Sequence, residues 1–192
     1  AGGHAVAGGW LLLGYPDGKG SVVEVMLGVV HRIARAVSIP VTADVEAGYG
    51  DPVATARALV DAGAAGMNIE DVIGDPGSLL DLAAQVRIIE EIRAFTDLVI
   101  NARTDIYLMA DPAGRFERTV ERLNAYRKAG ADCLFAPGVR DAETIGKPVR
   151  AVDGPLNILA GAGTPPVAAL EYLGLARVSG WSGPIRAPSV VP

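Results

Sequence analysis

Hydrophobic positions along the chain fall into two alternating textures. Short runs rich in Val, Ile, Leu and Ala occupy residues 4–8, 41–46, 66–70, 98–105, 132–136, 156–161 and 177–180. Between them lie longer stretches whose apolar residues recur at helical spacing, at 22–37, 52–62, 79–95, 116–129, 142–152 and 165–172. A short apolar run bounded by turn residues reads as a buried strand, and a 3.6-residue period reads as an amphipathic helix. The alternation predicts repeated β–α units around a parallel sheet. Local signals mark the joints. Asp51-Pro52 offers a capping carboxylate followed by proline at the first helical position. Gly63 and Gly130 each stand where a helix must end in a left-handed residue before the next strand, and Ala1-Gly2-Gly3 before His4 repeats that junction.

Strands covered on both faces and each followed by a helix fit an open doubly wound sheet or a closed (β/α)8 TIM barrel. No glycine-rich dinucleotide fingerprint follows any strand, and seven strands are legible where a barrel has eight. The expectation is an α/β protein with a (β/α)8 TIM barrel as its single domain over residues 1–192. The barrel's first strand and last helix are expected to be absent from this chain, because barrels typically run to about 250 residues.

Composition narrows the partners. Half the residues are hydrophobic and 20% are charged, enough apolar material for one sizeable core. Seventeen Lys and Arg against 22 Asp and Glu give a net charge of −5, which argues against a polyanion-binding surface, so no nucleic-acid partner is expected. No apolar run approaches the roughly 18–20 residues that cross a bilayer, and the N-terminus lacks a signal peptide's basic flank and apolar core. A cytoplasmic protein without a membrane partner is the expectation. Cys133 is the only cysteine, and His4 and His31 are the only histidines. That excludes an intrachain disulfide and a cysteine zinc cluster, so any metal would be held mainly by oxygen. Cys133, mid-strand beside Leu134-Phe135, reads as a buried inert thiol.

In a parallel barrel the site lies at the C-terminal strand ends, and three of those ends are polar. Strand alternation places Asp44 and Glu46 on one face, Asn68 and Glu70 on one face of the next strand, and Asn101, Arg103 and Asp105 on one face of the strand after it. Clustered acids in a low-dielectric site need a cation or protons to offset their repulsion. Magnesium suits an oxygen-only donor set, since it keeps several waters and takes one or two carboxylates directly. Arg103 adds a planar fork for a carboxylate or phosphate. Asp51, Asp71 and Asp105 read as structural: Asp51 as a helix cap, and the others as pairing groups between neighbouring strands. Gly8-Gly9 could let backbone N–H groups approach an anion, and Ser182-Gly183-Pro184 suits a phosphate-binding corner.

Five stretches, 13–18 (LGYPDG), 41–51 (VTADVEAGYGD), 68–71 (NIED), 101–105 (NARTD) and 178–186, resemble the isocitrate lyase/phosphoenolpyruvate mutase superfamily. The resemblance implies a (β/α)8 barrel that assembles as a homo-oligomer, a dimer or tetramer. It implies a magnesium site, with manganese as the substitute, in which Asp44 is the main protein ligand while Glu46, Glu70 and Asp17 hold metal-bound waters. It further implies that Arg103 grips the substrate or stabilises developing charge, with Glu70 and Asp17 beside it in the catalytic group. The Gly8-Gly9 backbone would bind the carboxylate of a small 2-oxo acid.

Two departures shape the functional expectation. The lyases carry a Lys-[Lys/Arg]-Cys-Gly-His loop after the NIED strand, whereas residues 72–78 here read VIGDPGS; the glutamate of their sixth strand is replaced by Phe135-Ala136-Pro137-Gly138. The expected reaction is cleavage of a carbon–carbon bond through a metal-stabilised pyruvate enolate, of the oxaloacetate decarboxylase or lyase type. Decarboxylation needs the least further machinery, because solvent can protonate the enolate. The alternatives are carbon–phosphorus chemistry, as in phosphonopyruvate hydrolase or phosphoenolpyruvate mutase, and a non-catalytic 2-oxo acid-binding barrel.

Overall fold

The computed structural model describes residues 4–5, 23–73, 78–109, 111 and 113–180. Its elements are β1 (His4–Ala5), α1 (Val23–Ala36), β2 (Val41–Asp44), α2 (Pro52–Asp61), β3 (Gly66–Glu70), β4 (Val72–Ile73), β5 (Ser78–Leu79), α3 (Leu82–Arg93) and β6 (Val99–Arg103). A 3-10 turn (Ile106–Leu108) leads to α4 (Arg115–Lys128), β7 (Cys133–Phe135), α5 (Ala142–Ala151), β8 (Leu156–Ala160), α6 (Val167–Tyr172) and β9 (Arg177–Gly180).

Seven strands form one all-parallel sheet in the order β1-β2-β3-β6-β7-β8-β9. The order never reverses, which separates this sheet from a doubly wound one, where reversal creates the switch point. A sheet wound in one direction with right-handed crossovers puts its helices on one side and curls. The result is the curled parallel sheet of the TIM-barrel class, with six helices among the described residues.

Alternation along the strands divides the side chains. Ala43, Met67, Ile69, Ile100, Ala102, Leu134 and Ile158 are fully buried in the apolar cluster, where they meet Val30, Leu59, Ile89, Ile92, Leu123, Ile145 and Leu170 of the helices. Full burial of such a side chain is worth about 1.5–3 kcal/mol. Their strand neighbours Asp44, Asn68, Glu70, Asn101, Arg103 and Asn157 share the opposite, concave face. The core therefore lies between sheet and helices, and the concave face carries these polar side chains together with Phe135, which is in register with Arg103.

Helix ends follow the sequence signals. Asp51 and Asp81 cap α2 and α3 by accepting the N–H of Ala54 and Ala84. Gly63 and Gly130 adopt φ of 85° and 110°. The paired bonds Gly63 N–H to Val60 O and Ala64 N–H to Leu59 O recur as Gly130 to Arg127 and Ala131 to Tyr126, the two-bond closure that satisfies a helix's last carbonyls.

Three expectations are corrected. The strand predicted at 41–46 ends at Asp44, because Glu46 and Tyr49 take left-handed backbone (φ 51° and 53°) in the turn around Gly48. The strand predicted at 98–105 ends at Arg103 and passes into the 3-10 turn. The segment read as plain loop after Glu70 carries the antiparallel pair β4–β5. The predicted first strand extends beyond the described His4–Ala5, and residues 6–8 lie outside the described residues.

Candidate functional site

The C-terminal ends of β2, β3 and β6 adjoin through register: Asp44 pairs with Asn68, Asn68 with Asn101, and Glu70 with Arg103. In-register pairs lie on one face, so the three polar strand ends converge. Arg103 Nη1 meets Glu70 Oε2 at 2.9 Å. Its Nε and Nη2 meet the two carboxylate oxygens of Asp105 at 2.5 and 2.7 Å. Phe135 of β7 stands beside it, with the guanidinium carbon 5.8 Å from the ring centre.

Asp44 sits deeper. The backbone N–H of Glu46 donates to its Oδ1 at 3.2 Å, and the Asn68 side chain hydrogen-bonds to it as well. The Asn68 amide is held in turn by Asn101, whose Nδ2 donates to Asn68 Oδ1 at 2.7 Å. Glu46 reaches this neighbourhood by a left-handed turn, not by strand alternation: its carbonyl accepts the N–H of Glu70 at 2.9 Å. Gly48 makes the turn possible. It has φ 93°, and a Cβ there would lie 2.4 Å from Pro52 Cβ.

Electrostatics follow from burial. Burial pushes the Asp44 carboxyl above its usual value, against the pull of Arg103 and the hydrogen bonds from Glu46 and Asn68. Burial pushes Glu70 up to about 8; Arg103 opposes the rise, while Asp105, Asp44 and Glu46 add to it. Burial alone would lower Arg103, yet its bond to Asp105 and the attraction of Glu70, Asp105 and Asp44 outweigh that and hold it protonated. Glu70 thus feels three other acids and one guanidinium, an excess of acidic over basic groups among its neighbours.

That excess is what a divalent cation relieves. Among the described residues no three His, Cys, Asp or Glu converge as a ready-made metal cage. A hard cation such as magnesium needs only one or two direct carboxylates and several waters. Asp44 could supply the direct oxygen, and Glu46 and Glu70 could accept from the ion's waters. Asp17, Gly8 and Gly9, expected at the same mouth, lie outside the described residues, as do residues 182–184.

The residues read as structural are so placed. Asp51 caps α2, and Asp71 is buried and paired away from the concave face, to Arg122 at 2.8 Å. Asp105 differs in one respect, since it pairs with Arg103 of its own strand end. Cys133 is buried, and burial pushes its thiol up. Sequence reasoning noted Phe135 only within the stretch that replaces the lyases' glutamate, and did not single out Arg122 or Tyr126. A signal for the last two exists: Thr119, Arg122, Leu123 and Tyr126 trace the buried stripe of α4, so an arginine occupies a core-facing position.

Fold and site together define an α/β barrel-class protein with an acidic, arginine-bearing mouth. The chain belongs to the phosphoenolpyruvate phosphomutase family, whose family model matches residues 3–189, within the phosphoenolpyruvate mutase/isocitrate lyase superfamily. It is 31% identical over 188 residues to an oxaloacetate decarboxylase of Paraburkholderia xenovorans, covering 90% of this chain and 60% of that protein. A solved candidate lyase/mutase of Burkholderia cenocepacia J2315 is 34% identical with a TM-score of 0.87, covering 96% of this chain and 71% of that one. A phosphonopyruvate hydrolase solved with oxalate and Mg2+ shares the fold, with a TM-score of 0.79 at 24% identity over 96% of this chain and 72% of that one. Superfamily members are lyases, mutases and hydrolases. The chain spans about half to two thirds of the length of the curated relatives it matches. Among the described residues no helix is long and apolar enough to cross a membrane.

Proposed function

We propose that this chain carries the catalytic centre of a magnesium-dependent enzyme that cleaves a carbon–carbon bond in a small 2-oxo acid, with oxaloacetate decarboxylation as the first reaction to test. The observation that carries the reading is the three-point hold on Arg103 by Asp105 and Glu70, next to a half-buried Asp44 whose carboxyl is pushed above its usual value by desolvation.

Arg103 has five N–H groups, of which the contacts to Asp105 and Glu70 engage three, leaving two to grip a substrate carboxylate. Because Asp105 takes Nε and Nη2 together, the guanidinium plane is fixed before substrate arrives, so no reorganisation is needed as charge develops. Asp44 would hold the magnesium ion directly, with Glu46, Glu70 and Asp17 acting through its waters; manganese would substitute. A bound divalent ion supplies Lewis-acid stabilisation of an enolate oxygen. Phe135 gives the neighbouring wall an apolar surface, which favours a compact substrate over one with a further carboxylate on that side. Gly8 and Gly9 would offer backbone N–H groups to the 2-oxo acid's carboxylate.

Calorimetric titration with oxalate, a mimic of the pyruvate enolate, tests the assembled site. Binding that requires magnesium, together with pyruvate formation from oxaloacetate, is the expected result. Absence of binding by folded protein, with and without magnesium, sinks the reading; binding without turnover of any 2-oxo acid reassigns the chain as a binder. Carbon–phosphorus chemistry is the second reading, favoured by the description of the matching family model. Product analysis with phosphonopyruvate separates the two.

A further inference from the structure

Behind the acidic mouth a second polar cluster is buried between the sheet and α4. Asp71, the residue after Glu70, has no exposed surface. Its Oδ1 accepts the backbone N–H of Asp105 at 3.1 Å. Its Oδ2 accepts Arg122 Nε at 2.8 Å and the Tyr126 hydroxyl at 2.7 Å. Arg122 Nε also donates to the Tyr126 oxygen at 2.8 Å, and its Nη2 donates to the Leu80 carbonyl at 2.6 Å. The Leu80 N–H returns to the Asp71 carbonyl at 2.8 Å. A buried carboxylate is costly unless paired and hydrogen-bonded, and this one draws its partners from the backbone just past the end of β6 and from α4.

The cluster acts on one backbone position. Asp105 lies past the end of β6, where the chain leaves the sheet for the 3-10 turn. Its N–H goes to Asp71, and its carboxylate holds Arg103 at two nitrogens. Fixing the Asp105 backbone therefore fixes the fork to which Arg103 is docked. Groups that stabilise developing charge must be held within about 0.5 Å of their productive place, and a misplacement of about 1 Å can cost about a hundredfold in rate.

We infer that Asp71, Arg122 and Tyr126 are positioning residues for Arg103, setting the direction of its guanidinium through Asp105 without touching substrate. Only the kinetic arm of the following test rests on the reaction proposed above.

Tyr126→Phe removes one hydroxyl and keeps the ring that fills the core; it carries the test even where the stronger variant Asp71→Asn fails to fold. The first readout is the Arg103 Nε–H resonance in 15N-resolved NMR, identified by its loss in Arg103→Lys. It is expected to shift and broaden in Tyr126→Phe and to stay in place in Lys147→Ala, which breaks an exposed pair with Glu143 on α5. The second is oxaloacetate turnover with magnesium, expected to fall at least tenfold in Tyr126→Phe but to show no further fall when the change is made on the Arg103→Lys background. A lowered Tm with an unmoved Arg103 resonance overturns the inference. So does a turnover loss of equal size on both backgrounds, since the cluster would then serve packing alone. A wild-type protein that turns over no oxaloacetate sinks the proposed reaction, while the Arg103 resonance still decides this inference.

Discussion

Asp105 holds Arg103 by both nitrogens on one edge of its guanidinium, at 2.5 and 2.7 Å, from a position just outside the strand that carries the arginine. An edge-on carboxylate leaves the far end of the guanidinium available while removing its freedom to rotate.

Arg103→Lys is therefore expected to be far from conservative. A lysine is a point donor on a flexible stem and cannot hold Asp105 and Glu70 in the same plane. Oxaloacetate kcat/KM should fall by about 10²-fold or more, with the circular dichroism spectrum unchanged. Retention of the wild-type value would remove Arg103 from the mechanism.

Asp44→Asn separates metal binding from stability. The ionised carboxyl is disfavoured by burial, so its neutral isostere should leave the metal-free Tm at or above that of wild type. Magnesium-dependent oxalate binding should disappear from the calorimetric titration. Persistent binding would show that another residue is the main ligand.

Gly48 and Gly50 form a paired test of the turn that delivers Glu46. Both have positive φ, 93° and 89°, so alanine at either pays about 1–2 kcal/mol for a left-handed backbone. At Gly50 nothing lies within 4 Å of the new methyl group, whereas at Gly48 it collides with Pro52, which adds about 1–3 kcal/mol of overpacking. Urea denaturation should rank wild type above Gly50→Ala and Gly50→Ala above Gly48→Ala. Equal losses would mean that Pro52 yields.

Cys133 should resist thiol reagents. Burial raises its pKa, so at any pH near 8 a smaller fraction is thiolate than in a free cysteine, and the thiolate is the reacting form. A chromogenic disulfide reagent at pH 8 is expected to leave native protein unlabelled and to label one thiol per chain in guanidinium; raising the pH of the native sample should speed the slow reaction. Rapid native labelling would place Cys133 on an accessible surface.

Much of this site was legible because its determinants are local. Asn68, Glu70, Asn101 and Arg103 sit within regular strands, where a period of two decides the face without reference to distant residues. The same reasoning failed one residue beyond regularity. Glu46 was assigned to the face of Asp44 by counting in twos, but the turn that Gly48 permits against Pro52 delivers it by another route. Asp105 was counted onto the Arg103 face as a strand residue, yet its contact depends on the strand ending at Arg103.

By itself the sequence determined the β–α alternation, the helix ends at Asp51, Gly63 and Gly130, and the convergence of acids and an arginine on one side of the sheet. Periodicity and capping are properties of a few neighbouring residues, and they survive in any context that lets the elements form. Tertiary structure alone decided that Arg122 is buried against Asp71, its partner 51 residues away. It also decided that Asp105 turns back to hold Arg103, and that β4 and β5 pair after Glu70. Each of these depends on a group brought in from elsewhere in the fold, and an arginine is kept in a core only by the carboxylate that meets it there.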